Sequence, residues 1–299
     1  MSYLLRSMLF LPGHNEKFLN KAMGCQADAI ILDLEDAVPE PSRPEARVMI
    51  RKYMTEGCFA GRQVFIRVNE LNTADLYEDL KLLDCPGLLG VVAPKICTPA
   101  DIHAFDAMIT EKEMQYGLPV GSLKLAPLIE TAAAVMNIRE IACASPRLIA
   151  LLLGGEDYLA DVWGKHFEST DSMATARAMT VMAARMNGLL PIDTPYLDLK
   201  NEEGFREEES RSAAMGFAGD LLVTPNQIPW ANDCFSPDEA EIALSRDILA
   251  AIEEVRRQGG GIAKLNGRMI GPPMRKRAEK VFALHQMIEE MKASYAKAE

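Results

Sequence analysis

No apolar run in this sequence reaches the roughly 18 residues that a membrane-spanning helix needs. The first residues, MSYLLRSMLFLPG, are apolar, but Arg6 interrupts them, and they show neither the basic start nor the small-residue cleavage site of a signal peptide. We therefore expect them to belong to the mature fold. Positive charge is also scarce, because 43 Asp and Glu outnumber 32 Lys and Arg to give a net charge of −11. This balance argues against bulk binding to nucleic acid or to an anionic membrane surface.

Several chemical motifs are missing as well. The six cysteines form no C-x-x-C pair, which argues against a structural zinc site or a disulfide scaffold. Free thiols fit a reducing compartment, so a cytoplasmic location is expected. The sequence has no Gly-x-Ser-x-Gly elbow and no Cys–His pairing that would support a covalent nucleophile.

What the sequence does contain is a regular alternation of strand-like and helix-like segments. Eight apolar runs have strand character, at 4–11, 29–34, 64–68, 88–93, 123–129, 148–153, 188–192 and 221–223. With the helical segments between them they occupy about 230 residues, the length that a (β/α)8 TIM barrel needs. Because the runs are mostly continuously apolar, the strands are predicted to be parallel and covered on both sides. The alternative is an open doubly wound sheet, which usually carries a Gly-rich phosphate turn that is missing here.

The pattern changes near residue 232. We predict a TIM-barrel domain over residues 1–231 and a C-terminal helical extension over residues 232–299. The extension begins with an amphipathic helix, for which Ser236 is the predicted N-cap, Pro237 the first helical residue and Glu239 the partner in a capping box. A short extended segment, IAKLNGRMIGPP, then leads into a last helix.

Polar side chains follow the apolar runs, at the end of the barrel where active sites of this fold lie. They include Glu35, Asp36, Lys95, Glu130, Glu156 and Asp157, and Arg67 lies within the third run. A cluster of carboxylates without His or Cys partners suits a hard divalent cation such as Mg²⁺. Each acid taken alone has a simpler interpretation, since it can cap the helix that follows it. Arg67 lies inside an apolar strand, where a guanidinium needs an acid partner or an anionic ligand.

A set of motifs runs along almost the whole chain. In order, they are RSMLFLPG, ILDLEDAV, VFIRVNE, VVAPK, LAPLIET, LLLGGEDY, GFAGDLLVTPNQI and LNGRMIGPP. Together they resemble the citrate lyase β-subunit-like (CitE-like) branch of the HpcH/HpaI aldolases, which includes malyl-CoA and citramalyl-CoA lyases. The resemblance implies a Mg²⁺-dependent TIM barrel that cleaves or forms a carbon–carbon bond next to a thioester. A citramalyl-, malyl- or citryl-type thioester, on CoA or an acyl carrier protein, would yield an acetyl thioester and a 2-oxo acid.

The resemblance also implies roles for particular residues. Glu130 in LIET and Asp157 in GGEDY match the metal ligands, and Arg67 in IRVN matches the residue that binds the oxo-acid carboxylate. Glu35 and Asp36 in DLED match acids that line the site, and with Arg67 they are the catalytic candidates. The implied substrate-binding residues are Arg67, Gly155, Glu156 and Asp157, the last three through backbone N–H groups.

One position departs from the family pattern. Lyases of this family commonly carry an Asp in the C-terminal motif, on a lid that covers a neighbouring subunit's site, and Gly271 stands there in GRMIGPP. Loss of a positioned base usually costs about 10²–10⁴ in rate. Either another group such as Glu35, Asp36 or a metal-bound water takes the proton, or the substrate needs no base there, or the protein is a weakly catalytic or non-catalytic binding or assembly subunit. An aldolase acting on a free hydroxy acid is a further alternative, and the family implies a homotrimer or hexamer.

Overall fold

A computed structural model describes residues 3–166, 171–260 and 262–296. Within these ranges, no helix is both long and apolar enough to cross a lipid bilayer. The chain divides into a large compact unit, Leu5–Phe235, and a smaller one made mainly of residues from Ser236 onward.

The large unit is a closed barrel of eight parallel strands in sequence order, which confirms the predicted fold class. The strands are β1 (Ser7–Pro12), β2 (Ala29–Asp33), β3 (Gln63–Arg67), β4 (Leu88–Ala93), β5 (Lys124–Ile129), β6 (Ala150–Leu153), β7 (Leu190–Asp193) and β8 (Gly219–Leu222). Strand β8 closes the barrel by pairing with β1, where Asp220 lies opposite Ser7. All eight apolar runs of the sequence therefore became strands of one sheet.

Helices cover the outside of this barrel. They are α1 (Glu16–Ala22), α2 (Arg43–Thr55), α3 (Ala74–Asp79), α4 (Pro99–Tyr116), α5 (Ala132–Met136), α6 (Ile138–Ile141), α7 (Gly155–Asp161), α8 (Ala174–Met186), α9 (Glu202–Met215) and α10 (Ile228–Cys234). The core between strands and helices takes alternate strand residues such as Leu9, Ile30 and Val64. The residues between them, such as Ile31 and Phe65, are also fully buried and therefore fill the barrel interior.

The smaller unit contains two helices and a hairpin. Helix α11 (Glu239–Arg257) is followed by the antiparallel pair β9 (Ala263–Leu265) and β10 (Arg268–Ile270), and then by α12 (Pro272–Ala296). Asn266 and Gly267 make the turn, both with positive φ, as a two-residue hairpin requires. Its apolar core is formed by Ile248, Ala263, Ile270 and Ala278.

The start of α11 differs from the prediction. Asp238, not Ser236, is the N-cap, and its carboxylate accepts a hydrogen bond of 2.7 Å from the backbone N–H of Glu241. The helix therefore begins two residues later than expected, at Glu239. Asp caps a helix as well as Ser does, so the local pattern allowed both positions and the chain uses the one nearer the helix.

Candidate active site

The period of two along the strands decides which side chains reach the mouth of the barrel, the end where the strands' carboxyl ends lie. Phe65 fills the interior, so Arg67, two residues later, projects in the same direction at the mouth. The same alternation carries Glu130 to the mouth after Leu128. Arg67 and Glu130 come from different strands, β3 and β5, and closure of the barrel brings them to the same mouth.

A pocket of about 110 Å³ lies at this mouth. Its walls are Phe10, Arg67, Leu128, Glu130, Gly154, Gly155, Glu156, Asp157, Thr194, Pro195 and Leu221. The structure thus gathers the predicted metal ligands, the predicted substrate-binding groups and Arg67 around one cavity. Their chemical roles stay predictions.

Arg67 is held by two acids from the end of β2. Its Nε and Nη2 donate to the two carboxylate oxygens of Asp33 at 2.6 and 2.5 Å, a bidentate pair. Its Nη1 lies 2.9 Å from Oε2 of Glu35. Asp33 also accepts the backbone N–H groups of Glu35 and Ala37, so it is fixed from both sides. Burial would lower the pKa of Arg67, but these acids outweigh it, and the guanidinium stays charged.

Glu35 is a buried acid whose charge is only partly compensated. Burial raises its pKa to about 7, with the charges of Asp36 and Glu130 acting in the same direction and Arg67 opposing them. Its Oε2 is close to Arg67 but not aligned for a hydrogen bond with it, and no other described residue supplies one. Asp36 is exposed in the turn that follows. A carboxyl group with a pKa near neutrality can both accept and release a proton at the mouth.

Lys95 joins the two predicted metal ligands. Its Nζ donates to Oδ1 of Asp157 at 2.8 Å and lies 3.7 Å from Oε1 of Glu130. Its backbone N–H donates to the same Glu130 oxygen at 2.5 Å. Burial alone would lower the pKa of Lys95, but the larger combined effect of Asp157 and Glu130 raises it above its usual value, so the ammonium is charged. Burial also raises the pKa of Glu130, against the effect of Lys95.

Two glycines in LLLGGEDY give these groups their space. A Cβ at Gly154 would lie 2.5 Å from Cβ and 2.8 Å from Oε2 of Glu130. A Cβ at Gly155 would lie 2.4 Å from Sδ of Met173 and 2.6 Å from Oγ1 of Thr194. The backbone N–H of Gly155 donates to that Thr194 hydroxyl at 2.8 Å, so this amide is already used within the protein.

The model of the HpcH/HpaI aldolase/citrate lyase family matches residues 6–225. The chain belongs to this family. The citrate lyase subunit beta of Leuconostoc mesenteroides subsp. cremoris is 34% identical, over 94% of this chain and 93% of that protein. The L-malyl-CoA/beta-methylmalyl-CoA lyase of Rhodobacter capsulatus is 33% identical, over 95% of each. As a member of this family with such relatives, the chain is a carbon–carbon lyase.

Solved structures with a similar fold were found as well. Protein CitE of Mycobacterium tuberculosis, in complex with magnesium, acetoacetate and coenzyme A, is similar with a TM-score of 0.74 and 27% identity. The match covers 93% of this chain and 96% of that one. A second structure, the citrate lyase beta subunit of the same organism with oxaloacetate and magnesium, has a TM-score of 0.67 and covers 79% of this chain.

The residues at the mouth fit a magnesium ion. In the described part of the chain, no three His, Cys, Asp or Glu side chains are placed to hold a metal together. Mg²⁺ does not need three, since it usually takes one or two carboxylates and keeps waters or substrate oxygens. Glu130 is buried, and the absence of a side chain at Gly154 leaves space for it. The Asp157 side chain is 45% exposed. The ammonium group of Lys95 already lies close to both carboxylates. One buried and one partly exposed carboxylate that already attract a cation are oxygen donors of the kind that Mg²⁺ prefers.

Sequence reasoning missed three partners in this HpcH/HpaI family site. Asp33 accepts two hydrogen bonds from the guanidinium of Arg67. The Thr194 hydroxyl accepts a hydrogen bond from the backbone N–H of Gly155. Lys95 contacts both predicted metal ligands. Lys95 stood among the strand-end residues, but no role was predicted for it. Glu156, predicted to bind substrate through its amide, directs its carboxylate away to His166, with 2.7 Å between Oε1 and Nε2.

Proposed function

We propose that this protein is a Mg²⁺-dependent lyase that cleaves a 3-hydroxy-3-carboxyacyl thioester into an acetyl thioester and a 2-oxo acid. The observation that carries the proposal is the meeting of Arg67, Glu130 and Asp157 around one pocket at the barrel mouth. The named relatives support the reaction class, because they are a citrate lyase subunit and a malyl-CoA lyase. CoA bound to a similar structure favours a CoA thioester over an acyl carrier protein.

Glu130 and Asp157 would hold the metal ion. When bound, Mg²⁺ supplies Lewis-acid polarisation of the substrate's hydroxyl and carboxylate oxygens. Arg67 orients the substrate carboxylate by charge-assisted hydrogen bonds from nitrogen protons not used by Asp33. Asp33 keeps the guanidinium plane in place, since it is itself anchored by two backbone amides. The amides of Glu156 and Asp157 in the first turn of α7 add donors for that carboxylate.

Glu35 does not line the pocket itself, but it lies beside Arg67 and its raised pKa suits it to take the hydroxyl proton. As the carbon–carbon bond breaks, the hydroxyl carbon becomes the carbonyl of the 2-oxo acid, and the electron pair passes to the acetyl thioester as an enolate. A carboxylate with a pKa of about 7 accepts the hydroxyl proton near neutral pH, and its protonated form can then give a proton to the enolate carbon, which yields the acetyl thioester. The exposed carboxylate of Asp36 raises the basicity of Glu35 from the rim.

Gly271 is the observation that supports a second candidate function. No side chain is present where the family's lid Asp is expected, so a weakly catalytic or non-catalytic binding or assembly subunit is the second candidate. Space exists for that side chain, because a Cβ at Gly271 would meet only Pro273, at 3.6 Å. We propose, as for the family, that the extension over 232–299 covers the site of a neighbouring subunit in a homotrimer or hexamer.

The test is incubation of purified protein with Mg²⁺ and citramalyl-, malyl- or citryl-CoA, with pyruvate, glyoxylate or oxaloacetate measured as the product. We expect one of these oxo acids to appear, and EDTA or Glu130→Gln to abolish it. Formation of none, in a protein that still binds Mg²⁺ and an oxo acid, would support the second candidate. Gly271→Asp separates the two further, since a rate gain of about 10² or more would show that the lid base had been lost.

A further inference from the structure

Lys95 has an unusual position between the two carboxylates. Its backbone φ of 53° lies in the left-handed region, which residues other than glycine rarely adopt and which tends to persist at functional sites. One residue thereby contacts Glu130 with its amide and both Glu130 and Asp157 with its ammonium group.

The loop around Lys95 is fixed on its C-terminal side. Asp101 in the first turn of α4 accepts the backbone N–H groups of Cys97 and Thr98 at 2.9 and 2.8 Å. The backbone of Lys95 is thus anchored by Glu130 on one side and by the start of a helix on the other. The side chain has more freedom, because it is 28% exposed and ends a flexible four-carbon stem.

Charge explains why the ammonium lies there. Glu130 is 2% exposed, and a buried carboxylate is costly without a compensating cation. The Asp157 side chain is 45% exposed, so solvent can replace its bond to Lys95 more easily than it could replace a bond to Glu130. The bond to Asp157 is therefore the one that can be exchanged.

We propose that Lys95 is an internal counter-cation that holds Glu130 and Asp157 at a fixed spacing, and that it releases Asp157 when a divalent cation binds to these two carboxylates. This rests on the proposed Mg²⁺ site. Lys95 is here a positioning residue: its amide keeps Glu130 in place throughout, while its ammonium competes with the metal ion for Asp157.

The first experiment measures Mg²⁺ affinity by isothermal titration calorimetry in Lys95→Met and Lys95→Asn, the latter chosen because Asn tolerates positive φ. We expect Mg²⁺ to bind about tenfold more tightly in both, since a unit charge some 6 Å away repels the ion this strongly even in water. Lys95→Arg should restore the weaker binding. Lys81→Met is the matched control, because Lys81 pairs with Glu78 on the surface and its loss should change the affinity less than about twofold.

Failure of this inference and failure of the proposed function give different results. If the wild-type protein binds no Mg²⁺, or if Glu130→Gln binds it as well as wild type, the proposed metal site is wrong. If wild type binds Mg²⁺ but both uncharged Lys95 variants bind it equally or less tightly, the counter-cation proposal is overturned while the metal site stands.

A second measurement follows the ammonium group itself. An amine-acylating reagent is applied with and without saturating Mg²⁺, and the modification of Lys95 is read by mass spectrometry. We expect Lys95 to be acylated several-fold faster with Mg²⁺, because its release from Asp157 exposes a more ordinary amine, while Lys81 stays unchanged. A rate for Lys95 that is the same or slower with Mg²⁺ contradicts the release.

Discussion

At the scale of residues, Glu35 combines burial with partial charge compensation. Its carboxyl is buried beside Arg67, yet its pKa is raised to about 7 because desolvation outweighs the guanidinium. The neighbouring Asp33 accepts two hydrogen bonds from Arg67 and two from backbone amides, and this leaves Glu35 as the acid with the weaker hold on the arginine. Two neighbouring acids thus differ in their environments, as acid–base pairs in active sites do.

The first prediction concerns Glu35→Gln. If Glu35 is the base, kcat should fall about 10²–10⁴-fold. In the wild-type protein kcat/KM should rise as the pH rises through about 7, because the ionised form accepts the proton. Asp36→Asn should move this rise to lower pH, since the Asp36 charge raises the pKa of Glu35. A pH profile that is the same in Glu35→Gln as in wild type would assign the base elsewhere.

The second prediction concerns Gly154→Ala. The new methyl carbon would lie 2.5 Å from Cβ of Glu130 and must displace that side chain. We expect the Mg²⁺ affinity measured by calorimetry to fall roughly tenfold or more, since small shifts of a ligand group have large effects. Gly24→Ala is the control, because nothing lies within 4 Å of the Cβ it would add. Equal affinities in the two variants would mean that Glu130 does not bind the metal.

At the scale of elements, a break between two short helices coincides with a contact to a neighbouring loop. The helical segment between β5 and β6 is divided into two helices, α5 and α6, separated at Asn137. The side-chain amide of Asn137 donates to the carbonyl of Cys97 at 2.9 Å, which ties this break to the loop after β4. That loop carries Lys95, so the break in the helix supports the geometry of the site.

The third prediction concerns the start of α11. Asp238→Ala should lower the free energy of unfolding of the C-terminal unit by about 1 kcal/mol, because the N-cap hydrogen bond to Glu241 is lost. Ser236→Ala, at the position that the sequence favoured, should have a smaller effect. Urea unfolding followed by circular dichroism compares the two, and a larger loss in Ser236→Ala would restore the predicted cap.

At the scale of the whole molecule, a buried acidic layer lies outside β7 and β8. Arg177 on α8 pairs with Asp193 on β7, at 3.0 Å from Nε to Oδ2, and with Asp171 and Glu208. Glu209 on α9 and Asp220 on β8 are 1% and 0% exposed, and none of their carboxylate oxygens has a hydrogen-bond partner among the described residues. Burial, with Asp193 and Glu208 nearby, raises the pKa of both well above the usual range.

The fourth prediction follows from this layer. The folded protein keeps these protons to a higher pH than the unfolded chain, where such groups have a pKa of about 4. As the pH rises above that value the unfolded chain binds fewer protons, so the free energy of unfolding should fall by up to about 1.4 kcal/mol per pH unit for each group. Glu209→Gln and Asp220→Asn should each flatten this decline in denaturant titrations from about pH 5 to 9.

Glu203→Gln serves as the control for this pH dependence, because Glu203 is exposed at the start of the same helix, α9. Its replacement should leave the slope of stability against pH unchanged. If Glu209→Gln, Asp220→Asn and Glu203→Gln all give the slope of the wild-type protein, the two buried acids are ionised in the folded state, and Arg177 compensates more charge than its contacts indicate.

Much of the fold could be predicted because it depends on patterns local in the chain. The eight strands were found from continuous apolar runs, and Arg67 near the end of the third run and Glu130 after the fifth were predicted to lie at strand ends. The parts that could not be predicted are choices among several possible partners. Ser236 and Asp238 are both good caps, and the acids Asp33, Glu35 and Asp36 are all near Arg67 in principle.

By itself the sequence determined a parallel barrel with acids and one arginine at the mouth, because strand periodicity and continuous apolar runs depend only on neighbouring residues. Only the tertiary structure decided that Asp33 forms the bidentate pair with Arg67 and that Lys95 lies between Glu130 and Asp157. It also decided that a layer of acids is buried outside the last strands. These pairs join residues from separate strands and helices. Their distances depend on the stagger between strands in the closed barrel, and no local pattern carries that information.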